Sequence, residues 1–300
     1  MSNKGKILPY LAAIISSMIF GLSFLFTKRA LSVATPISIV AFRFLIAFLV
    51  MSVLIIFKII KVNYKNKPLG LIALLSLFEP VIYFIFETYG LQRTASSLGG
   101  LMISLIPIAV TILGIYFLQE KPTMKQTIFI IASVIGVAII GMMNSSGDTG
   151  SSLFGMLLMI GAVMSAAFFS IISRKISKQF NAFEITYFMM ISGAVSFNGL
   201  SIIMHLVNKD ISSYFKPLTS FTFLTSVIYL GIVSSIIAYF LLNYSLAKLQ
   251  ASKATVFSNI STIVSILAGV IFLNESFRIY HLVGSALILI GVWGTSRFSK

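Results

Sequence analysis

The chain has 300 residues, 58% of them hydrophobic and 10% charged, and it contains no cysteine. Soluble domains carry about 25% charged residues, so a cytosolic enzyme, a secreted domain and a disordered chain are excluded. The lack of cysteine also removes disulfides, thiol nucleophiles and thiolate metal sites.

A membrane-spanning helix needs about 20 mostly apolar residues. Ten such runs are predicted, over 7–27, 36–57, 69–91, 95–118, 124–143, 153–173, 182–206, 220–245, 251–273 and 280–296. The first follows Lys4 and Lys6, like a signal peptide. Its apolar stretch exceeds the roughly 7–15 residues of a signal core and has no clean small-x-small cleavage site, so it reads as helix 1. Most breaks carry charge or turn residues, such as Lys65-Asn66-Lys67-Pro68 and Asn208-Lys209-Asp210. The breaks near 93 and 249 are so short that helices 3 and 4, and helices 8 and 9, must join by tight turns. Long continuous runs exclude a transmembrane barrel, whose strands alternate over about ten residues. The predicted fold is an all-α polytopic membrane protein with ten transmembrane helices.

The net charge is +15, from 22 Lys plus Arg against 7 Asp plus Glu. In a soluble protein that balance would point to nucleic acid. Ten crossings put both termini on one side. Fifteen of the 22 basic residues then lie on that side, in or beside the termini and connections, six on the other, and Arg43 lies deep within helix 2. By the positive-inside rule both termini are cytoplasmic. The basic excess is an orientation signal and an attraction to anionic headgroups, and no nucleic-acid partner is expected.

An internal repeat runs through the chain. At an offset of 155, Gly114-Ile115-Tyr116-Phe117-Leu118-Gln119-Glu120 matches Gly269-Val270-Ile271-Phe272-Leu273-Asn274-Glu275. The same offset pairs Tyr89-Gly90-Leu91 with Tyr244-Ser245-Leu246 and Ile135-Gly136-Val137 with Ile290-Gly291-Val292. Earlier in each half an offset of 146 sets Lys28-Arg29 against Arg174-Lys175. The seam is the polar stretch 144–152. Two five-helix repeats result, 1–147 and 148–300. Five is odd, so the second is inverted. Inverted repeats in membranes usually serve alternating access around a midplane site, which makes transport the leading reading.

These residues resemble the drug/metabolite transporter superfamily, specifically the EamA-type ten-helix permeases, over essentially the whole chain. The resemblance rests on Phe20-Gly21-Leu22-Ser23-Phe24, Phe42-Arg43-Phe44-Leu45-Ile46-Ala47, Tyr89-Gly90-Leu91-Gln92-Arg93-Thr94, Leu105-Ile106-Pro107 and Phe117-Leu118-Gln119-Glu120-Lys121. The second half departs from the pattern: Thr262 replaces the counterpart of Pro107, and Met189 stands opposite Arg43. The resemblance implies proton- or gradient-linked movement of small metabolites, often amino acids and usually outward, across a bacterial plasma membrane. A small-molecule substrate, the lipid bilayer and protons are the partners expected. A homodimer stays open, and no cofactor or metal is expected.

Helix 3 carries Glu79, Pro80, Tyr83 and Glu87. Acids inside hydrocarbon cost about 2.5–3.5 kcal/mol at the helix centre, so they face a cavity or a partner. Spacing by four puts Glu79, Tyr83 and Glu87 on one helical stripe. Glu79 lies about 18 Å below the outer end, near the midplane, where it would couple protons or bind substrate. Arg43 lies at nearly the depth of Glu87. It either pairs with that carboxylate or snorkels to the outer headgroups. Pro80 and Pro107 break the backbone ladder and are candidate hinges. Tyr239 and Asn243 on helix 8 and Asn259 on helix 9 complete the candidate substrate-binding or coupling set, with Tyr244 a further lining candidate. In helix 9, Asn259 sits with Ser258, Ser261 and Thr262 in a polar cluster suited to substrate binding or to interhelical hydrogen bonds. Helices 5 and 10, nearly all apolar, belong at the periphery, and helices 1, 3, 4, 6, 8 and 9 around the cavity. Glu120 and Glu275 end helices in both halves, which suggests a structural role. The competing readings are a passive channel or facilitator and an intramembrane enzyme. The latter lacks a convergent nucleophile, base or metal set, so no catalytic residue is assigned.

Overall fold

The computed structural model describes residues 3–119, 122–144, 153–274 and 278–298. Among these the chain is all-helical. Its helices are α1 (Asn3–Leu31), α2 (Pro36–Ile56), α3 (Leu69–Gln92), α4 (Ser96–Phe117), α5 (Met124–Asn144), α6 (Leu153–Ile176), α7 (Ala182–Val207), α8 (Phe221–Lys248), α9 (Ala251–Leu273) and α10 (Ile279–Arg297). A 3-10 helix (Ile211–Thr219) joins α7 to α8. Eight of these helices, α1–α4 and α6–α9, are long and apolar enough to cross a membrane. In α5 and α10 the apolar stretch is shorter, Met124–Gly136 and Leu282–Thr295. Residues 145–152 of the predicted seam, with Glu120 and Glu275, lie outside the described residues.

Local sequence explains where the helices begin. Thr35 caps α2, its hydroxyl accepting from Ser38 N at 3.3 Å, and Pro36 follows at the first helical position, where no N–H is needed. Asn181 caps α7 in a capping box. Its side chain accepts from Glu184 N at 2.9 Å, and Glu184 accepts from Asn181 N at 2.9 Å. Cations close two helix ends, where unpaired carbonyls need donors. Lys28 donates to the carbonyls of Leu91 (2.8 Å) and Thr94 (2.5 Å) at the end of α3. Arg174 donates to those of Leu246 (3.2 Å) and Ala247 (3.0 Å) at the end of α8. The short turns after α3 and α8 are as tight as expected.

The helices pack in a defined set of pairs. α1 lies against α9 and α8, α6 against α4 and α3, α2 against α7, and α5 against α10. Lipid offers no hydrophobic drive between helices, so close backbone approach must supply contact. Gly21 provides it between α1 and α9: a Cβ there would meet Val264 Cβ at 2.6 Å and the Ser261 carbonyl at 2.7 Å. The central core runs through Phe44, Phe84, Phe169, Phe197 and Tyr239.

One connection is tied down by a buried carboxylate. Glu184 is 2% exposed. Besides its cap, it accepts from Asn63 N at 3.0 Å and from Lys67 Nζ at 2.6 Å, the latter also resting on the Phe180 ring. The Tyr64 hydroxyl donates to the Glu184 carbonyl at 2.7 Å. The α2–α3 connection is thereby fastened to the start of α7. Burial and the nearby Glu184 carboxylate push the Tyr64 phenol above its ordinary range. Glu184→Ala should cost about 2–4 kcal/mol, combining a lost cap with donors left unpaired, read as a lower unfolding midpoint of the purified protein.

Candidate functional site

Helix α3 is not a regular α-helix. Residues Leu77–Ile82 form a π turn in which Glu79 is extended (φ −141°, ψ 114°) before a cis bond to Pro80. Proline has no N–H to continue the ladder, and the Phe78 carbonyl, which accepts from Tyr83 N, also accepts from Ser165 Oγ of α6 at 2.6 Å. The interruption corrects the expected stripe: Glu79 is out of helical register with Tyr83 and Glu87. The wider turn still delivers all three to one place. α8 carries its own π segment over Tyr229–Ala238.

That place is a cavity at the centre of the bundle. It is lined from α1, α3, α4, α6, α8 and α9, with Arg43 entering from α2; among the described residues α5, α7 and α10 contribute nothing to it. It offers about 70 Å³ to the centres of water molecules, room for roughly five waters at 10–15 Å³ each. Its walls combine aromatic rings, including Phe20, Phe84, Phe169 and Tyr83, with the hydroxyls of Ser17, Ser23 and Ser258.

Of the predicted residues, Arg43, Glu79, Tyr83, Glu87 and Tyr239 all line this cavity. Glu79 is 5% exposed and accepts a hydrogen bond from the Tyr239 hydroxyl. Glu87 is 3% exposed and accepts from Thr88 Oγ1 at 3.0 Å. Arg43 is likewise 3% exposed, so it does not snorkel. Nor does it pair with Glu87, because the ion pair among the described residues is Lys67–Glu184. Instead Arg43 Nε donates to Ser235 Oγ at 2.7 Å and Nη2 to Ser234 Oγ at 2.8 Å, with the guanidinium 4.3 Å from the Phe84 ring centre. These serines satisfy donors that would otherwise need an anion.

The remaining candidates stand elsewhere. Asn243 ties three helices together, accepting from Ser173 Oγ at 2.8 Å and donating to Thr186 Oγ1 at 3.1 Å. Asn259 is buried and does not line the cavity, and its amide has no protein partner. Its neighbours Ser258 and Ser261 do line it, whereas Thr262 donates to the Gly100 carbonyl at 2.7 Å. Pro107 follows a tightened turn in α4, where Ser104 N bonds Leu101 O and Leu105 N bonds Met102 O, both at 3.1 Å. Tyr244 stacks on Phe240. Ser234, Ser235 and Phe169 were not among the candidates. The repeat carries a signal for all three: Ser234 and Ser235 match Glu79 and Pro80 at an offset of 155, and Phe169 matches Ser23 at 146.

A helical membrane bundle with buried charges around a central cavity has the build of a carrier. The model of the EamA-like transporter family matches residues 7–142 and 153–297, and the chain belongs to that family. It is 39% identical over 96% of its length to the uncharacterized transporter YcxC of Bacillus subtilis, covering 92% of that protein. It is 29% identical over 91% of its length to an uncharacterized transporter of Archaeoglobus fulgidus, covering 93% of it. A chloroplastic WAT1-related protein of Arabidopsis thaliana is 25% identical over 97% of this chain and 70% of its own. A protein of known crystal structure shares the fold, with a TM-score of 0.73 over 97% of both chains at 15% identity. The protein is therefore a multi-pass membrane transporter and not an enzyme.

Tyr239→Phe keeps the aromatic packing against Phe20 and Phe169 and removes the donor to Glu79. The expected cost is about 1–3 kcal/mol for the orphaned acceptor, seen as a lower unfolding midpoint, together with impaired transport.

Proposed function

We propose that the protein is a proton-linked secondary carrier that exports small metabolites, amino acids among them, across the plasma membrane by alternating access. The observation that carries this reading is the set of three buried ionisable side chains, Arg43, Glu79 and Glu87, in one central cavity. Ionisable groups in such a setting mark substrate and proton pathways. The small volume of the cavity favours a cargo of metabolite size.

In this reading ten helices cross the membrane as two inverted repeats, 1–147 and 148–300, with both termini cytoplasmic. The family model matching twice supports the division. So does the packing: exchanging α1 with α6, α3 with α8 and α4 with α9 leaves the helix pairs unchanged, while α2–α7 and α5–α10 map onto themselves. The caps Thr35 and Asn181 stand 146 apart, as do the helix-closing cations Lys28 and Arg174. The two π segments overlap at an offset of 155. Cavity-lining residues also pair across the repeat: Phe20 with Ala166, Ser23 with Phe169, Phe24 with Ser170, Phe84 with Tyr239, Glu87 with Leu242, Ile103 with Ser258 and Ile106 with Ser261. Irregular turns in α3, α4, α8 and α9 beside the cavity are suited to act as hinges.

The test is flux of a radiolabelled amino acid mixture in liposomes containing the purified protein under an imposed pH gradient. Gradient-driven flux should fall at least about tenfold in Glu79→Gln, and Glu87→Gln should weaken it, as expected for groups that act in proton transfer. Flux indifferent to both the gradient and Glu79→Gln would instead identify a passive facilitator.

A further inference from the structure

We propose that Ser234 and Ser235 are positioning residues that compete with Glu79 and Glu87 for Arg43, the guanidinium passing to the carboxylates when they release protons. The inference rests on the proton-linked reading above. It starts from an unexpected choice of partner. Arginine keeps its charge in any protein environment, and its bonds to carboxylates are roughly twice as strong as those to neutral groups. Two carboxyl groups share its cavity, yet the guanidinium bonds to two hydroxyls, at 2.7 and 2.8 Å.

The geometry makes the alternative reachable. Ser234 and Ser235 occupy the positions on α8 that Glu79 and Pro80 occupy on α3. Arg43 comes from α2 into the cavity between these two equivalent turns, one bearing hydroxyls and the other a carboxyl group. Its electrostatic neighbours are Glu79, Tyr83 and Glu87 on α3 and Tyr229 and Tyr239 on α8. The lining residues of α1 are serines and phenylalanines. The titratable groups of α7, packed along α2, have partners of their own: Glu184 holds Lys67, Tyr187 bonds Ser52, and His205 bonds the Asp210 carbonyl. The carboxyl groups of α3 are thus the anions within the cavity that can draw the guanidinium off the serines.

The serine contact is also a tie between helices. Ser23 of α1 donates to Ser234 Oγ at 2.8 Å, so Ser234 links α1, α8 and, through Arg43, α2. When a carboxyl group gives its proton to water, the new anion attracts Arg43 and the link from α2 to α8 is released. A deprotonation at α3 becomes a loss of contact at α8.

The test is an infrared pH titration of the protonated-carboxyl band in the full-length protein in liposomes, the cavity groups being assigned by the signal lost in Glu79→Gln and Glu87→Gln. In the double variant Ser234→Ala/Ser235→Ala, Arg43 has lost its competing acceptors. The cavity band should then disappear about one pH unit lower than in the wild type, a roughly tenfold change in proton affinity. Ser→Thr at both sites, which restores the hydroxyls, should return the midpoint towards the wild-type value. Each single Ser→Ala variant removes one of the two bonds and should give a partial shift, which keeps the test decisive if the double variant fails to fold. A wild-type titration with an unchanged midpoint in every alanine variant would overturn the competition and leave the serines a packing role. A wild-type cavity band that does not titrate across roughly pH 5–9 would overturn the proton-linked reading along with this one.

Discussion

An arginine cannot give up its charge, and Arg43 is buried at the centre of a bundle built to lie in hydrocarbon. That constraint organises much of what surrounds it. Every donor of the guanidinium that is left without an acceptor is costly there, so α8 brings two adjacent serines to meet it. α8 reaches that depth with a π segment, and α3 presents its carboxyl groups to the same space with another. The Phe84 face covers the guanidinium from the side, a favourable arrangement for a buried cation. Remove the charge and neither the serine pair nor the local rings have an evident reason to converge.

The backbone interruptions follow from the same requirement. A regular α-helix satisfies its own carbonyls and has none to offer; a break frees them, and in a membrane they must be met from within the protein. Ser165 adds a bond to the Phe78 carbonyl beside Pro80, and Lys28 and Arg174 meet the carbonyls at the ends of α3 and α8. The irregular turns beside the cavity therefore stay compatible with burial. They also put the least regular backbone of α3 and α8 next to the buried charges.

Much of this architecture can be read from the residues alone. Hydropathy locates the helices because spanning segments have no other way to satisfy their backbone, and the tight turns after Gln92 and Lys248 follow from the lack of intervening residues. Glu79, Tyr83, Glu87, Arg43 and Tyr239 stand out because charge and phenol are conspicuous in apolar runs. Their register was harder to read. The stripe drawn through Glu79 and Glu87 assumed 3.6 residues per turn, and the extended Glu79 breaks it. Ser234 and Ser235 carry no signal of their own, because serine is unremarkable in a membrane helix, and only the repeat offset links them to Glu79 and Pro80. Asn243 and Asn259 look alike in sequence, yet one is consumed in joining α6, α7 and α8 while the other is buried without a protein partner. Glu184 reads as a helix start, and its grip on Lys67 and Asn63 depends on a tertiary approach that no local pattern encodes.

The cavity residues that pair by sequence offset differ in chemistry. Ile103 faces the role of Ser258, Ile106 that of Ser261, and Glu87 that of Leu242. In the proposed inverted repeat, exchanging the two halves would put alcohol in place of oil and alkane in place of acid. A molecule lying in such a pocket feels a compass: its polar end has one direction to point. If the two halves trade places during a transport cycle, the inner and outer openings are different sites built on one scaffold, and the two ends of the journey need not bind with equal strength.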